Sequence, residues 1–240
     1  PAGVPFTVIL NAGETWSGVS VSQSANQRPA GTTVISDKPI AITIKDDSMN
    51  GAPYGGCADL MGDQLVPIPI LGQEYITLKG YLNGSDRVFV LATQNNTQIT
   101  IDGNIVGTLN AGQTYVHVQS ATTAYIQSSF PVYVLHTTGF GCEVGGAVLP
   151  PVRCTGSQQI GFTRSTTEFF ALNLMVETGG EGNFTLNGNP GLIQSGNFNP
   201  VPGSGGNWMY AQIQFNTSDI PAGQASLIQN SSHLFHMGII

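Results

Sequence analysis

Leu109-Asn110-Ala111-Gly112-Gln113-Thr114-Tyr115 repeats, almost letter for letter, Leu10-Asn11-Ala12-Gly13-Glu14-Thr15-Trp16. Pro221-Ala222-Gly223-Gln224-Ala225 is a weaker third copy. Each is followed by a strand-like stretch: Ile35-Ser36-Asp37-Lys38-Pro39-Ile40-Ala41-Ile42, Ile126-Gln127-Ser128-Ser129-Phe130-Pro131-Val132-Tyr133-Val134 and Ile228-Gln229-Asn230-Ser231-Ser232-His233-Leu234-Phe235. A second element recurs as well. Thr97-Gln98-Ile99-Thr100-Ile101-Asp102-Gly103-Asn104 resembles Asn183-Phe184-Thr185-Leu186-Asn187-Gly188-Asn189. Repeats of this kind build scaffolds and binding surfaces.

Alternation with period two fixes the secondary structure as strand. Ile40, Ile42 and Ile44 point one way, with Ala41, Thr43 and Lys45 the other. Ile99 and Ile101 alternate likewise, and Asp102-Gly103 has the residues of a type I′ turn. Val88–Ala92 and Val132–Leu135 read as strands covered on both faces. Val116 and Val118 alternate with His117 and Gln119, which places His117 on the polar side. Helix signals are confined to a single turn within Cys57–Val66, stopped by Gly62 and Pro67. The expected fold is all-β: antiparallel, sandwich-like repeated units with long connections, or alternatively a partial β-propeller, since four short strands per repeat also suit a blade. Three units follow, 1–75, 76–160 and 161–240, the first lacking its opening strands and the last ending early. Two matched connections, Asp46–Tyr75 and Thr137–Phe162, each carry Gly-Cys, an acidic residue, a Pro segment and a Gly. Their equivalence points to a shared packing role. Asn197–Gly206 reads as an exposed loop.

Charged residues make up only 9% of the 240, with 7 Lys+Arg against 14 Asp+Glu and a net charge of −7. Nucleic acid needs clustered basic residues and is a poor partner. No apolar run is long enough for a transmembrane helix, and no direct membrane insertion is expected. A weakly charged, Gly/Thr/Asn-rich β chain suits the outside of the cell, where a cytosolic surface would carry more Lys and Glu. The absence of an initiating Met and the apolar Gly238-Ile239-Ile240 end read as cuts from something longer.

The chemistry-bearing residues are few. Cys142 and Cys154 lie close in sequence and form the first candidate disulfide, which would contribute on the order of 3 kcal/mol. The rival pairings join Cys57 to Cys142 or Cys154, stapling unit one to unit two; no bridge at all is the third possibility. Zinc is disfavoured, with no CxxC and no His beside the cysteines. His233 and His236, three apart on a strand, point to opposite faces. Asp46, Asp47, Asp59 and Asp63 cluster in the first connection and suit calcium as a possible ligand, with turn capping as the simpler role. There is no nucleophile elbow and no marked carboxylate pair, so the expectation is no enzyme and no other cofactor. Trp208 reads first as a core residue; as the second reading, Trp208 with Tyr210 and Asn207 beside the Gly-rich loop is the candidate contact surface for a sugar ring.

Gly56-Cys57-Ala58-Asp59-Leu60-Met61-Gly62-Asp63-Gln64-Leu65-Val66-Pro67, Leu91-Ala92-Thr93-Gln94-Asn95-Asn96-Thr97-Gln98-Ile99, Gly141-Cys142-Glu143-Val144-Gly145-Gly146-Ala147-Val148-Leu149-Pro150-Pro151 and Cys154-Thr155-Gly156-Ser157 resemble the IgGFc-binding-protein N-terminal domain family. The resemblance spans nearly the whole chain. It implies an extracellular or cell-surface, non-enzymatic module, adhesive or structural, in a large polypeptide beside other β modules. Bacterial members of that family occur in large surface proteins, some in gliding Bacteroidetes, and animal members in mucus-associated proteins. The implied partners are neighbouring domains and a protein or glycan ligand on a surface. Fc binding itself maps onto no motif of this sequence. The expectation that competes with an adhesin is a carbohydrate-binding module.

Overall fold

In the computed structural model, which describes residues 3–22, 24, 27–50 and 56–240, the chain is all-β and antiparallel. Residue 1 and residues 51–55 of the first connection lie outside the described residues. The chain opens with an extended segment that reaches a long hairpin, β1 (Ile42–Asn50) and β2 (Ala58–Leu65). A first sandwich follows, from β3 (Glu74–Leu78), β4 (Tyr81–Leu82), β5 (Asp86–Ala92), β6 (Thr97–Ile101), β7 (Asn104–Leu109), β8 (Thr114–Gln119), β9 (Thr123–Ser128), β10 (Val132–Gly141) and β11 (Glu143–Val148). A second is built from β12 (Gln159–Thr163), β13 (Ala171–Glu177), β14 (Phe184–Leu186), β15 (Asn199–Pro200), β16 (Trp208–Gln214), β17 (Ala225–Asn230) and β18 (Phe235–Ile239).

The two sandwiches share one topology. In the first, the sheets run β3-β9-β6-β7 and β11-β10-β5-β8; in the second, β12-β17-β14 and β15-β16-β13-β18. Strand for strand, β12, β17 and β14 stand where β3, β9 and β6 stand, and β18, β13 and β16 where β10, β5 and β8 stand. The turns agree too. Asp102 (φ 50°) with Gly103 (φ 82°), and Asn187 (φ 51°) with Gly188 (φ 78°), both adopt the doubly left-handed conformation that a type I′ turn requires. The sheets face each other in packed pairs and are not splayed as blades, so the sandwich reading holds over the propeller.

Alternating burial shows how the four sheets stack. Val88 and Val90 of β5 meet Ile99, Ile101 and Ile126 of the opposite sheet to form the first core. Leu172, Leu174 and Val176 of β13 meet Phe184, Leu186 and Ile228 to form the second. Between the sandwiches lies a third apolar layer. Ile76, Leu78 and Tyr125 of the first pack on Trp208, Met175 and Tyr210 of the second, with Val152 and Val201. The β3-β9 side of the β3-β9-β6-β7 sheet is therefore covered on both faces, and β3 is buried on both sides along Tyr75–Leu78. Polar bonds reinforce this joint. Arg153 Nε donates to Glu74 (2.9 Å) and lies 3.7 Å from Glu177 of β13, while Tyr125 Oη donates to Glu74 at 2.9 Å. Burial together with the Glu74 carboxylate pushes the Tyr125 phenol up to about 12.

Several sequence expectations change. Cys57–Val66 is not helical; Ala58–Leu65 is a strand, held by antiparallel pairing with β1 from Ile42↔Leu65 to Asn50↔Ala58. The long connections are mostly hairpin: β1–β2 in one, the end of β10 and β11 in the other. Val116 and Val118 are 43% and 49% exposed, and Tyr115 and Gln119 face inward instead, with His117 half-buried beside them. Edge position decided this: β8 closes its sheet, and the buried Gln119 amide is bonded to Thr77, Ala121 and Thr122. The third Ala-Gly-Gln precedes β17, the counterpart of β9, whereas the second precedes β8. The likeness there is one of turn chemistry, not of place in the fold.

Candidate functional site

β10–β11 and β1–β2 are two equivalent hairpins lying side by side. β2 runs along β11 in the same direction at a constant offset of 85 residues. Cys57 is bonded to Cys142, Asp59 reaches Val144, and Asp63 reaches Val148. β11 is an edge strand, and its outward N–H groups would otherwise be unpaired. The Val144 N–H donates to Asp59 Oδ2 at 2.8 Å, and the Val148 N–H to Asp63 Oδ2 at 2.7 Å. Carboxylates thus stand in for the carbonyls of a neighbouring strand. The close approach needs Gly146: a Cβ there would come 2.5 Å from Met61 Sδ. Beside the disulfide, the Glu143 carboxyl faces that of Asp59, and the hydrogen bond between them and the repulsion of the Asp59 charge raise the Glu143 carboxyl above its ordinary range.

The disulfide corrects the first candidate pairing. Cys142 is joined to Cys57 across the units, one of the rival pairings, and Cys154 is an exposed free thiol. Proximity in sequence lost to the lateral contact of equivalent hairpins. The four aspartates of the first connection do not point at one centre. Asp46 is paired with Arg28 and Asp47 with Lys45 (2.7 Å), while Asp59 and Asp63 hold the β11 edge. Among the described residues, the side chains close enough to share an ion are Cys57, Cys142 and Glu143, and the two sulfurs there are bonded to each other.

Trp208 is a core residue, as the first reading has it, and the sugar-contact reading is set aside. Its ring is 2% exposed and lies in the joint between the sandwiches, so no face is free to stack. Tyr210 is half-buried in the same layer, and Asn207 is exposed with its Nδ2 donating to Ser204 O at 2.8 Å. The loop over residues 197–206 is exposed in part but anchored by Phe198, Val201 and Ser204, all buried. Gly203 abuts the β6–β7 turn so closely that a Cβ would lie 2.6 Å from Asp102 Cα.

A different surface is concave. The far sheet of the second sandwich carries an open groove of about 680 Å³. Ser157, Gln158, Gln159, Asn183, Thr185, Gln229, Asn230 and Ser231 line it, with Leu234 as an apolar patch and no charged side chain among its residues. Gln229 Nε2 donates to Gln159 Oε1 at 3.3 Å. Asn230, at the groove's floor, is spent on the Gly180 carbonyl and on the turn at Ser232 and His233. Sequence reasoning missed this groove because its residues are scattered over the chain and none is distinctive by type.

A stack of antiparallel sandwiches, clasped by a disulfide between its repeats and displaying an uncharged polar groove, fits an extracellular binding module. The chain matches the family model described as IgGFc binding protein over residues 1–237, and it belongs to that family. No curated protein and no solved structure matched it. No helix among the described residues is long and apolar enough to cross a membrane.

Proposed function

We propose that this chain is a non-enzymatic adhesive module of a large bacterial surface protein, of the kind found in gliding Bacteroidetes, and that it presents a rigid face to a protein on an opposing surface. The observation that carries this reading is the Cys57–Cys142 clasp. It fixes equivalent hairpins of two repeats side by side, and a preformed surface loses less freedom on binding than a mobile one. The family membership supports a protein partner. Biolayer interferometry with the immobilised oxidised chain, against IgG Fc, mucin and outer-surface extracts, tests it. Binding that is saturable and lost when the clasp is removed is expected, and no binding to any surface protein would overturn the reading.

The groove on the second sandwich favours a second reading, a carbohydrate-binding module. Amides and hydroxyls without formal charge match a neutral glycan, whose hydroxyls both donate and accept. A glycan array decides between the two, with Gln158→Ala and Gln229→Ala as variants that leave the core untouched. Calcium at Asp46, Asp47, Asp59 and Asp63 would have to displace their present partners. Thermal denaturation with and without a chelator measures whether it does.

A further inference from the structure

In the second sandwich, the outer face of the β16-β13-β18 sheet is covered by the β3-β9-β6-β7 sheet of the unit before it, through β3, β9 and the β6–β7 turn. The first sandwich has the equivalent outer face, on β8-β5-β10. Phe89, Leu91, Val116, Val118, Tyr133 and Leu135 project from it, apolar and partly exposed. The internal repeat says what belongs there: the β3-β9-β6-β7-type sheet of another unit.

Part of that unit is present in residues 3–65. The turn at Asn11–Glu14 duplicates the turn at Asn110–Gln113, which joins β7 to β8. Glu14 N–H donates to Asn11 O as Gln113 N–H does to Asn110 O, both at 3.0 Å, and each side-chain oxygen at the fourth position accepts from the first residue's N–H. Gly13 and Gly112 share a left-handed φ (86° and 81°). β1 and β2 are the counterparts of β10 and β11. Yet the segments flanking the first turn form no strand, and their side chains stand in solvent: Phe6 is 72% exposed, Ile9 88%, Trp16 55% and Val19 85%. In the first sandwich the strands corresponding to these flanks, β7 and β8, pair with β6 and β5. Among the described residues no counterpart of β5 or β6 precedes β1.

We infer that residues 3–65 are half of a third sandwich of the same topology, completed by strands of the β3, β5 and β6 pattern lying ahead of residue 1 in the same polypeptide, and that the completed unit stacks on the apolar outer face of β8-β5-β10. Chain order fixes the source, since β3, β5 and β6 all precede β7 in the complete copy. The occupant is apolar, alternating and nearly uncharged, like Val88-Phe89-Val90 and Ile99-Thr100-Ile101. The inference concerns assembly of the repeat and stands independently of what the module binds.

The chain carries its own reporter. Its two tryptophans are Trp16, exposed, and Trp208, buried. Leu10 corresponds to Leu109, so Gly3 falls where Asp102 stands. A second copy of residues 74–101 joined ahead of Gly3 therefore supplies the missing strands in register. Acrylamide quenching and amide hydrogen exchange are compared for residues 1–240 as they stand, for the grafted chain, and for a grafted chain whose added copy alone carries Val88→Asp and Ile99→Asp. In the plain chain and the disrupted graft, Trp16 is expected to quench freely and residues 4–10 and 15–21 to exchange at once. In the intact graft, Trp16 should become clearly less quenchable, to the half-buried level of its counterpart Tyr115, and those amides and Val116 and Val118 should gain protection. An intact graft that leaves Trp16 as quenchable as before overturns the inference. So does protection already present in the plain chain, and if that protection rises with concentration the covering partner is a second copy.

Discussion

Asp63 shows how a single side chain can take the place of a strand. Its carboxylate accepts the Val148 N–H at 2.7 Å at the rim of a sheet, and Asp59 does the same for Val144. Asp63→Ala leaves that donor unpaired and is expected to cost about 1–2 kcal/mol, read from chemical denaturation, with faster exchange of the Val148 amide. Asp63→Asn, which keeps an acceptor, should recover much of it. Glu143 sits at the same edge with its carboxyl facing Asp59. Its carboxyl pKa is raised in the folded chain, so the pair stabilises the fold below the ordinary carboxylate range, and that contribution disappears as pH rises through the raised value. Glu143→Gln keeps a donor toward Asp59 at every pH. It should therefore raise Tm at pH 7 relative to the parent and make little difference at pH 4, a comparison that thermal scans at the two pH values settle.

At the scale of elements, the clasped hairpins are the feature most open to test. The Cys57–Cys142 bond closes 85 residues of chain, and loop-closure arithmetic gives a crosslink of that span about 4–5 kcal/mol, an upper figure when the reduced chain keeps residual structure. Cys57→Ser is expected to lower stability by about 2–4 kcal/mol and to speed exchange in β1 and β2, while β13 and β16 are little affected. Peptide mapping without reduction should recover Cys57 with Cys142 and a free Cys154. Much of this was legible in the residues. The strand at Ile99–Ile101 and the Asp102-Gly103 and Asn187-Gly188 turns follow from alternation and turn chemistry, and the strand at Val88–Ala92 from its apolar run, although Phe89 and Leu91 on its outer face are half-exposed. The equivalence of Cys57 and Cys142 was also on view. What stayed hidden was that equivalent elements would touch each other, because lateral packing of one repeat on the next leaves no periodicity in either. For the same reason β2 passed for a helical turn. Its own Asp59 and Asp63 side chains reach across to the backbone of another unit, and its apolar pattern is too short to declare a period. Trp208 was legible as a core residue, but not what covers it, since the Gly-rich loop beside it looks exposed until the first sandwich packs against the ring.

For the molecule as a whole, the joint between sandwiches sets how rigidly the stack behaves. Gly203 has both a left-handed φ of 77° and a neighbour, Asp102 Cα, where a Cβ would go. Gly203→Ala should separate the loop from the β6–β7 turn and cost about 1–3 kcal/mol. Gly205→Ala has only the backbone cost and serves as the control. His236 tests the same joint by pH. It is buried beside Trp208, and desolvation holds its pKa below the ordinary imidazole range, against a hydrogen bond to the Val152 carbonyl that raises it. The neutral ring is the form the fold prefers. Stability is therefore complete above the unfolded histidine value near 6.5 and declines as pH falls through the lower folded value. His236→Gln should flatten that decline between pH 7 and pH 5, as measured by denaturation midpoints. The clasp has a mechanical meaning as well. A chain pulled from its two ends normally yields roughly 3.4 Å of contour for each residue that unravels. With residues 57 and 142 tied together, the 85-residue span between them is withheld from the load, about 290 Å of slack that the oxidised protein never releases. Tension reaching the first sandwich passes through one covalent link, and the sheets behind it remain folded until that link is reduced.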